Sequence, residues 1–267
     1  MGWLDRLKGG RAPEPPPPSP GVTEQLAAAS AASRAGDHAA ALAIWGPLAH
    51  DGVPRAQSNV GACFAEGLGV ERDLALAVRW LTLAAEAGDP VGQRNLATLY
   101  FRGEGMARDD GRAAALYRAA AKQGDAAAQD MLSWMLLEDS ALFDPAEGRL
   151  WAERAAGQGV ATAMARLGML HHNAVGVARD PAEAARWWRM AAERGDADAQ
   201  AMLGAAYHLG SGVPKDPVQA LAWLQRGQAG GSLLAGRFLG PARAALDPAG
   251  IAEAEALARR PLPEATP

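Results

Sequence analysis

The chain has 267 residues, and its 26 basic and 30 acidic side chains give a net charge of −4. Because no basic stripe is present, the composition argues against a nucleic-acid ligand. Cys63 is the single cysteine, so an intramolecular disulfide is impossible and a packed thiol is expected. No stretch of the sequence approaches the length of a membrane span.

The first segment, residues 1–8, carries charges and lacks an apolar run. It does not resemble a secretory signal peptide, and a cytoplasmic protein is predicted. In a helix, Trp3, Leu4 and Leu7 would form one apolar stripe able to dock weakly on a partner or a membrane surface. The competing interpretation, which we favour, is a segment without fixed structure, because two helical turns are marginal alone.

A proline-rich stretch, residues 9–21, follows and predicts an extended, disordered and semi-rigid spacer. Residues 22–55 are predicted to form a diverged N-terminal repeat or cap. Within it, Gly36 to Gly52 is typical of the second helix of a helix pair, with a kink at Pro47.

A period of 35 or 36 residues runs through residues 56–234. Three sets of equivalent residues keep this period, and all three shorten by one residue in the same repeat. The sets are Gln57, Gln93, Gln129, Met164 and Gln200; Gly52, Gly88, Gly124, Gly159, Gly195 and Gly231; and Asp73, Asp109, Asp144, Asp180 and Asp216. Such a period predicts a solenoid of stacked repeats, here residues 56–91, 92–127, 128–162, 163–198 and 199–234.

Each repeat is predicted to be a pair of helices. In the last repeat the first helix runs from Ala199 to Leu209 and ends at Gly210, where glycine permits a positive φ. Asp216 suits an N-cap, and Pro217 suits the first position of the second helix. Neither amphipathic helix can bury its apolar face alone, so neighbouring repeats must stack.

Equivalent positions in the repeats predict the core. One column of the first helices is aliphatic, one column of the second helices is rich in tryptophan, and small residues are predicted where helices approach closely. The aliphatic column is Val60, Leu96, Leu132, Leu167, Leu203 and Leu239; the tryptophan-rich column is Trp80, Leu116, Trp151, Trp187 and Trp223; the small residues are Gly61, Ala97, Ser133, Gly168 and Gly204.

Several positions depart from the repeat pattern. The third repeat has Asp139 in place of a glycine, which predicts a different loop, and the fourth repeat has Ala174 at the same place. Pro241 is expected to interrupt a further first helix. Residues 235–260 are predicted to form capping helices, and residues 261–267 a disordered tail.

The motifs Leu-Gly-x-x-Tyr, Gly-x-Gly-Val, Asp-Pro, Ala-x-x-Trp and Ala-Ala-x-x-Gly recur over roughly residues 24–260 and resemble the Sel1-like repeat family, a branch of the tetratricopeptide-like superhelices. The resemblance implies an all-α fold, a right-handed α-solenoid of about five to six stacked helix-turn-helix repeats with a C-terminal capping helix. It also implies an adaptor function in signalling, envelope assembly or host interaction. Secreted members with paired cysteines are associated with β-lactam hydrolysis, but this chain lacks that cysteine framework, so a hydrolase is not expected.

The analogy with tetratricopeptide folds places the first helices along a concave face. The side chains that the core columns leave unused are the candidate partner-binding residues: Arg94, Thr98, Phe101, Arg102, Trp134, Leu137, Glu138, Met169, His172, Asn173, His208 and Leu209. Trp134 stands out because its column otherwise holds no aromatic residue, which suits a binding anchor. Alternatively, Trp134 fills space left by the altered loop of its repeat.

The sequence contains no arrangement typical of catalysis or metal binding. The glycine pairs join helix to helix, the periodic aspartates are caps, and His172 and His208 would lie about 10 Å apart, too far to share a zinc ion. We therefore predict a non-catalytic adaptor or scaffold, without cofactor or metal, that binds a protein segment on its concave face. The alternative is a regulatory subunit tethered to the envelope or to a complex by residues 1–8.

Overall fold

The computed structural model describes residues 20–262, and in that range the chain forms fourteen α-helices and no strand. The predicted docking residues Trp3, Leu4 and Leu7 and most of the spacer lie outside the described residues, as does the end of the C-terminal tail. The chain consists of two compact units, and the boundary between them lies between Leu116 and Tyr117.

The helices pair into repeats of about 36 residues, which confirms the predicted all-α solenoid class. Their bounds are α1 Pro20–Arg34, α2 His38–His50, α3 Pro54–Glu66, α4 Leu74–Glu86, α5 Pro90–Arg102, α6 Asp110–Lys122, α7 Ala126–Glu138, α8 Pro145–Gly157, α9 Ala161–Asn173, α10 Pro181–Glu193, α11 Ala197–Leu209, α12 Pro217–Ala229, α13 Ala235–Ala244 and α14 Pro248–Arg259. The odd-numbered helices from α3 to α11 are the first helices of the repeats, and the even-numbered helices from α4 to α12 are the second.

Aspartate side chains cap the second helices, as the sequence predicts. Asp73 accepts a hydrogen bond from the amide of Leu76 at 3.0 Å, which satisfies an amide that the first turn of a helix leaves unpaired. The aspartates that cap the later second helices in the same way are Asp109, Asp144, Asp180 and Asp216. A second set, which the sequence analysis did not identify, caps three first helices and consists of Asp89, Asp125 and Asp196.

The periodic glutamines join successive repeats. Each is buried and donates from Nε2 to a backbone carbonyl eight residues earlier, in the last turn of the preceding second helix. The pairs are Gln57 with Ala49, Gln93 with Ala85, Gln129 with Ala121 and Gln200 with Ala192, at 3.0–3.4 Å. In the fourth repeat the position holds Met164, which packs in the apolar core instead.

The core confirms the aliphatic column and corrects the tryptophan-rich one. Val60, Leu96, Leu132, Leu167 and Leu203 are all buried, whereas Leu239, the last predicted member of this column, is partly exposed. In the second helices, however, the fully buried column lies one residue later than predicted and consists of Leu81, Tyr117, Ala152, Trp188 and Leu224. Of the predicted column only Trp151 is buried, while Trp80, Leu116, Trp187 and Trp223 are partly exposed. One residue turns a helix by about 100°, so this shift decides which side chain faces the first helix.

The small residues of the first helices face the corrected column. A Cβ atom added at Gly61 would lie 2.7 Å from Cγ of Leu81, and one added at Gly204 would lie 2.8 Å from Cγ of Leu224. At Gly168 an added Cβ would overlap the indole ring of Trp188. The two helices of these repeats therefore pack closely because the first helix has no side chain at the point of contact.

In four of the five repeats, the first helix ends at a residue with left-handed backbone. Ala174 ends α9 with a φ of 58° and keeps the conformation that glycine has in three other repeats. The loop of the third repeat differs, as predicted: Asp139 has a negative φ, and its side chain accepts a hydrogen bond from the amide of Ala141 at 2.9 Å.

Two helices follow the last repeat. Pro241 lies inside α13, so the prediction that it interrupts this helix is wrong; the proline only removes one amide donor from a helix of ten residues. Helix α14 packs against α12. Arg226 of α12 donates to the carbonyls of Leu257 and Arg260 at 2.7 and 2.6 Å, and so satisfies groups at the end of α14.

Candidate functional site

Four predicted binding residues lie on α5, in the first unit. Phe101 is partly buried beneath the guanidinium of Arg108, whose Cζ is 5.1 Å from the ring centroid. The Thr98 hydroxyl donates to the carbonyl of Arg94 at 3.1 Å, and Arg102 is exposed, 4.0 Å from Glu104. These contacts are local to α5 and its following loop.

The remaining predicted residues lie in the second unit and have different surroundings. Trp134 on α7 is 37% exposed. Leu137 is largely a core residue, since it packs against Gly148 of α8 and the buried cluster of the fourth repeat. Glu138 of α7 and Asn173 of α9 are exposed.

The two predicted histidines pack against aromatic rings. His172 lies 5.4 Å from the ring of Trp188, and His208 lies 6.3 Å from the ring of Phe238, between centroids. In the described part of the chain, the Nδ1 atom of His172 is buried without a hydrogen-bond partner. These contacts are those of side chains packed at the edge of the core.

A cleft of about 320 Å³ lies between the first helices α9 and α11. We call it the α9/α11 cleft. Its lining is Thr162, Ala165, Arg166, Met169, Trp188, Asp196, Asp198, Ala199, Met202 and Leu234. Of the predicted binding residues, only Met169 contributes to it.

The sequence contained a signal for the cleft residues of α9 that the prediction did not use. Thr162, Ala165, Arg166 and Met169 follow the spacing i, i+3, i+4, i+7, so they form one helix face. Except for Arg94, the predicted residues were taken from the C-terminal half of each first helix, whereas the cleft uses the N-terminal half as well.

Hydrogen bonds hold the polar side chains around the cleft. Asp130 of α7 accepts from the Thr162 hydroxyl at 2.7 Å and from Arg166 at 2.5 Å. The side chains of Asp130 and Arg166 are only 18% and 16% exposed, so this ion pair is well shielded from solvent. The charge of Arg166 is thereby neutralised, and the pair links the first helices of the third and fourth repeats.

The other end of the cleft is acidic. Asp198 is exposed and accepts from the hydroxyl of Ser232 at 2.5 Å, and Asp196 accepts from the amide of Ala199 at 2.7 Å. Burial raises the pKa of the Asp196 carboxyl, although the hydrogen bond from the Ala199 amide opposes the shift. The charge of Asp198 raises this pKa further, and the charge of Arg166 lowers it. Among residues 20–262, no Lys or Arg forms an ion pair with either carboxylate. We call Asp196 and Asp198 the acidic end of the cleft.

Comparison with known proteins identifies the repeats. The family model described as Sel1 repeat matches residues 54–89, 90–125, 126–160, 161–196 and 197–231. The chain belongs to the Sel1 repeat family. No curated protein sequence matches it.

Two solved structures with this fold are similar at 30% sequence identity. One is c5321, a protective antigen present in uropathogenic Escherichia coli strains, with a TM-score of 0.82 over 89% of this chain and 52% of that one. The other is a Sel1 repeat protein from Oxalobacter formigenes, with a TM-score of 0.73 over 79% of this chain and 88% of that one. The chain thus spans about half the length of c5321.

Family membership places this Sel1 repeat protein among solenoids that are typical protein-interaction modules and are generally non-catalytic. In residues 20–262, no three His, Cys, Asp or Glu side chains are grouped closely enough to hold a metal ion. In the same range, no helix has both the length and the apolarity needed to cross a bilayer.

Proposed function

We propose that this Sel1 repeat protein is a non-catalytic adaptor that holds a segment of a protein partner on the first-helix face of its second unit, in the α9/α11 cleft. The observation that carries the proposal is the combination of apolar and charged groups in one concavity. Met169, Met202 and Leu234 are partly exposed there, beside the fixed ion pair of Arg166 and the acidic end.

Methionine is suited to such a surface. Its side chain is unbranched and polarisable, so two methionines on facing helices adapt to apolar side chains of different shape. Docking one large apolar side chain removes roughly 100 Å² of apolar surface from water and stabilises the complex by about 2.5 kcal/mol. The fixed polar groups then supply orientation, because their positions are set before the partner arrives.

The exposed side chain of Trp134 extends the proposed surface along α7. Asp130, one turn before it, is bonded to α9, so the two helices present neighbouring parts of one face. A partner that contacts Trp134 as well as the cleft would use an aromatic anchor at its edge. The alternative of a tethered regulatory subunit depends on residues 1–8 and receives no support from the described residues.

Crosslinked capture from cell lysate tests the proposal. The variant Met169→Glu with Met202→Glu places charge in the cleft, and the matched control Leu150→Glu changes an exposed side chain of α8 in the same unit. We expect the control to capture the same proteins as the wild type and the double variant to lose them. Circular dichroism must show that both variants are folded. Unchanged capture by a folded double variant would refute the assignment.

A further inference from the structure

The sequence contains one segment whose chemistry matches the α9/α11 cleft. Residues 1–8 carry Trp3, Leu4 and Leu7 together with Arg6 and Lys8. At about 100° per residue, a helix would place the three apolar side chains on one stripe and the two cations on either side of it, with Asp5 on the far side. The cleft has the complementary pattern, with apolar methionines beside two carboxylates that form no ion pair among residues 20–262.

Leu233 is 92% exposed and precedes Leu234, which lines the cleft. The volume of about 320 Å³ lies at the lower limit of ordinary ligand pockets and is suited to one large side chain with a neighbour.

We propose that the α9/α11 cleft binds residues 1–8 of a second copy of the chain, with the apolar stripe against Met169 and Met202 and one of the two flanking cations at the acidic end. This inference rests on the proposed function, because it assigns an occupant to the same cleft. The bound segment competes with the protein partner, so self-association lowers the number of free clefts.

The composition of the spacer favours binding of the segment to another copy over binding within the same chain. Residues 9–19, which precede α1, contain a run of prolines, a composition that predicts a stiff spacer of roughly 3 Å per residue. A stiff spacer closes a loop within one chain less readily than a flexible one, which favours contact with a neighbouring molecule. When two copies exchange segments, each cleft is filled once, and the contact closes as a symmetric dimer.

Methionine methyl NMR on the full chain tests the binding. The labelled protein carries Trp3→Ala, Leu4→Ala and Leu7→Ala, which leaves its own cleft open, and it is titrated with a synthetic peptide of residues 1–10. We expect saturable shifts of the Met169 and Met202 methyl signals. The Met106 signal, from the core of the first unit, serves as the internal control and stays unchanged.

The charges give a second, independent readout. A peptide with Arg6→Glu and Lys8→Glu should bind at least about fivefold more weakly at low salt, because it brings anions to the acidic end. Absence of shifts at Met169 and Met202, equal shifts at Met106, or equal binding of the two peptides would overturn the proposal.

The oligomeric state separates a second copy from other arrangements. Sedimentation should show a concentration-dependent dimer for the wild-type chain and a monomer for the chain with the three alanines. A wild-type monomer at all concentrations contradicts exchange between copies. Partner capture separates this inference from the proposed function. If the chain with the three alanines still captures partners while Met169→Glu with Met202→Glu does not, the proposed function stands, and a negative result in the peptide or sedimentation experiment refutes only the binding of residues 1–8.

Discussion

Replacing Gly168 by alanine should destabilise the second unit, although alanine is the better helix former. Gly168 lies inside α9, where alanine is favoured over glycine by about 1 kcal/mol. The added Cβ, however, would overlap the Trp188 ring, which is only 3% exposed, so the ring or the two helices must shift. Overpacking of this kind costs about 3 kcal/mol at the upper end of its range. The expected net loss is therefore about 2 kcal/mol.

Urea unfolding followed by far-UV circular dichroism measures this change. Gly157→Ala is the matched control, since a Cβ at that position in the last turn of α8 meets no atom within 4 Å. The control should be unchanged or more stable by about 0.5 kcal/mol. The midpoint should fall for Gly168→Ala at constant slope, because the surface exposed on unfolding stays the same.

A double-mutant cycle identifies Trp188 as the cause. Trp188→Ala gives α10 the residue that the third repeat has at the equivalent position, Ala152. In that background Gly168→Ala no longer meets the indole ring, so its penalty should disappear or reverse. If Gly168→Ala is as stable as the wild type, or if its penalty persists without the ring, the account of close helix packing is wrong.

Three further changes test the repeat structure by urea unfolding. Gln200→Ala should cost about 1 kcal/mol, because it removes the Nε2 bond to the carbonyl of Ala192, which then keeps only backbone donors such as the Gly195 amide; an unchanged midpoint would contradict the role of the glutamines. Ala174→Gly should stabilise by about 1 kcal/mol by relieving a positive φ, whereas a loss would refute the strain. Glu147→Gln should cost about 1 kcal/mol at pH 7. Hydrogen bonds from Arg118 hold the pKa of Glu147 below its ordinary value, so this stability is present above about pH 4.5 and is lost as the pH falls further; the variant should lack that acid-dependent loss.

Much of the fold was predictable because one structural pattern is repeated along the chain. The period predicted the helix pairs. The periodic aspartates predicted where the second helices begin, because an aspartate side chain caps a helix N-terminus, as Asp73 does. The buried tryptophan column was misplaced by one residue because Trp187 and Trp188 are adjacent and both apolar. Only the packing against Gly168 determines which of them faces the first helix.

The candidate site was less predictable because it depends on contacts between repeats. The Asp130–Arg166 pair joins residues 36 positions apart, and nothing near either residue in the sequence indicates the partner. Met169 was identified from its column, but the cleft also requires Met202 and the acidic end, which belong to the following repeat. The sequence also left open whether Trp134 lies at the surface or in the core. Its position in the repeat does not determine how exposed its side chain is.

Site-specific photocrosslinking tests the central claim most directly. A photoreactive amino acid replaces Thr162, an exposed residue lining the α9/α11 cleft, or, as the control, Leu150 of α8. The account predicts that a protein partner crosslinks at position 162 and not at position 150, and that Met169→Glu with Met202→Glu abolishes the crosslink. Crosslinking at position 150 alone, or crosslinking at position 162 that the double variant does not reduce, would contradict it.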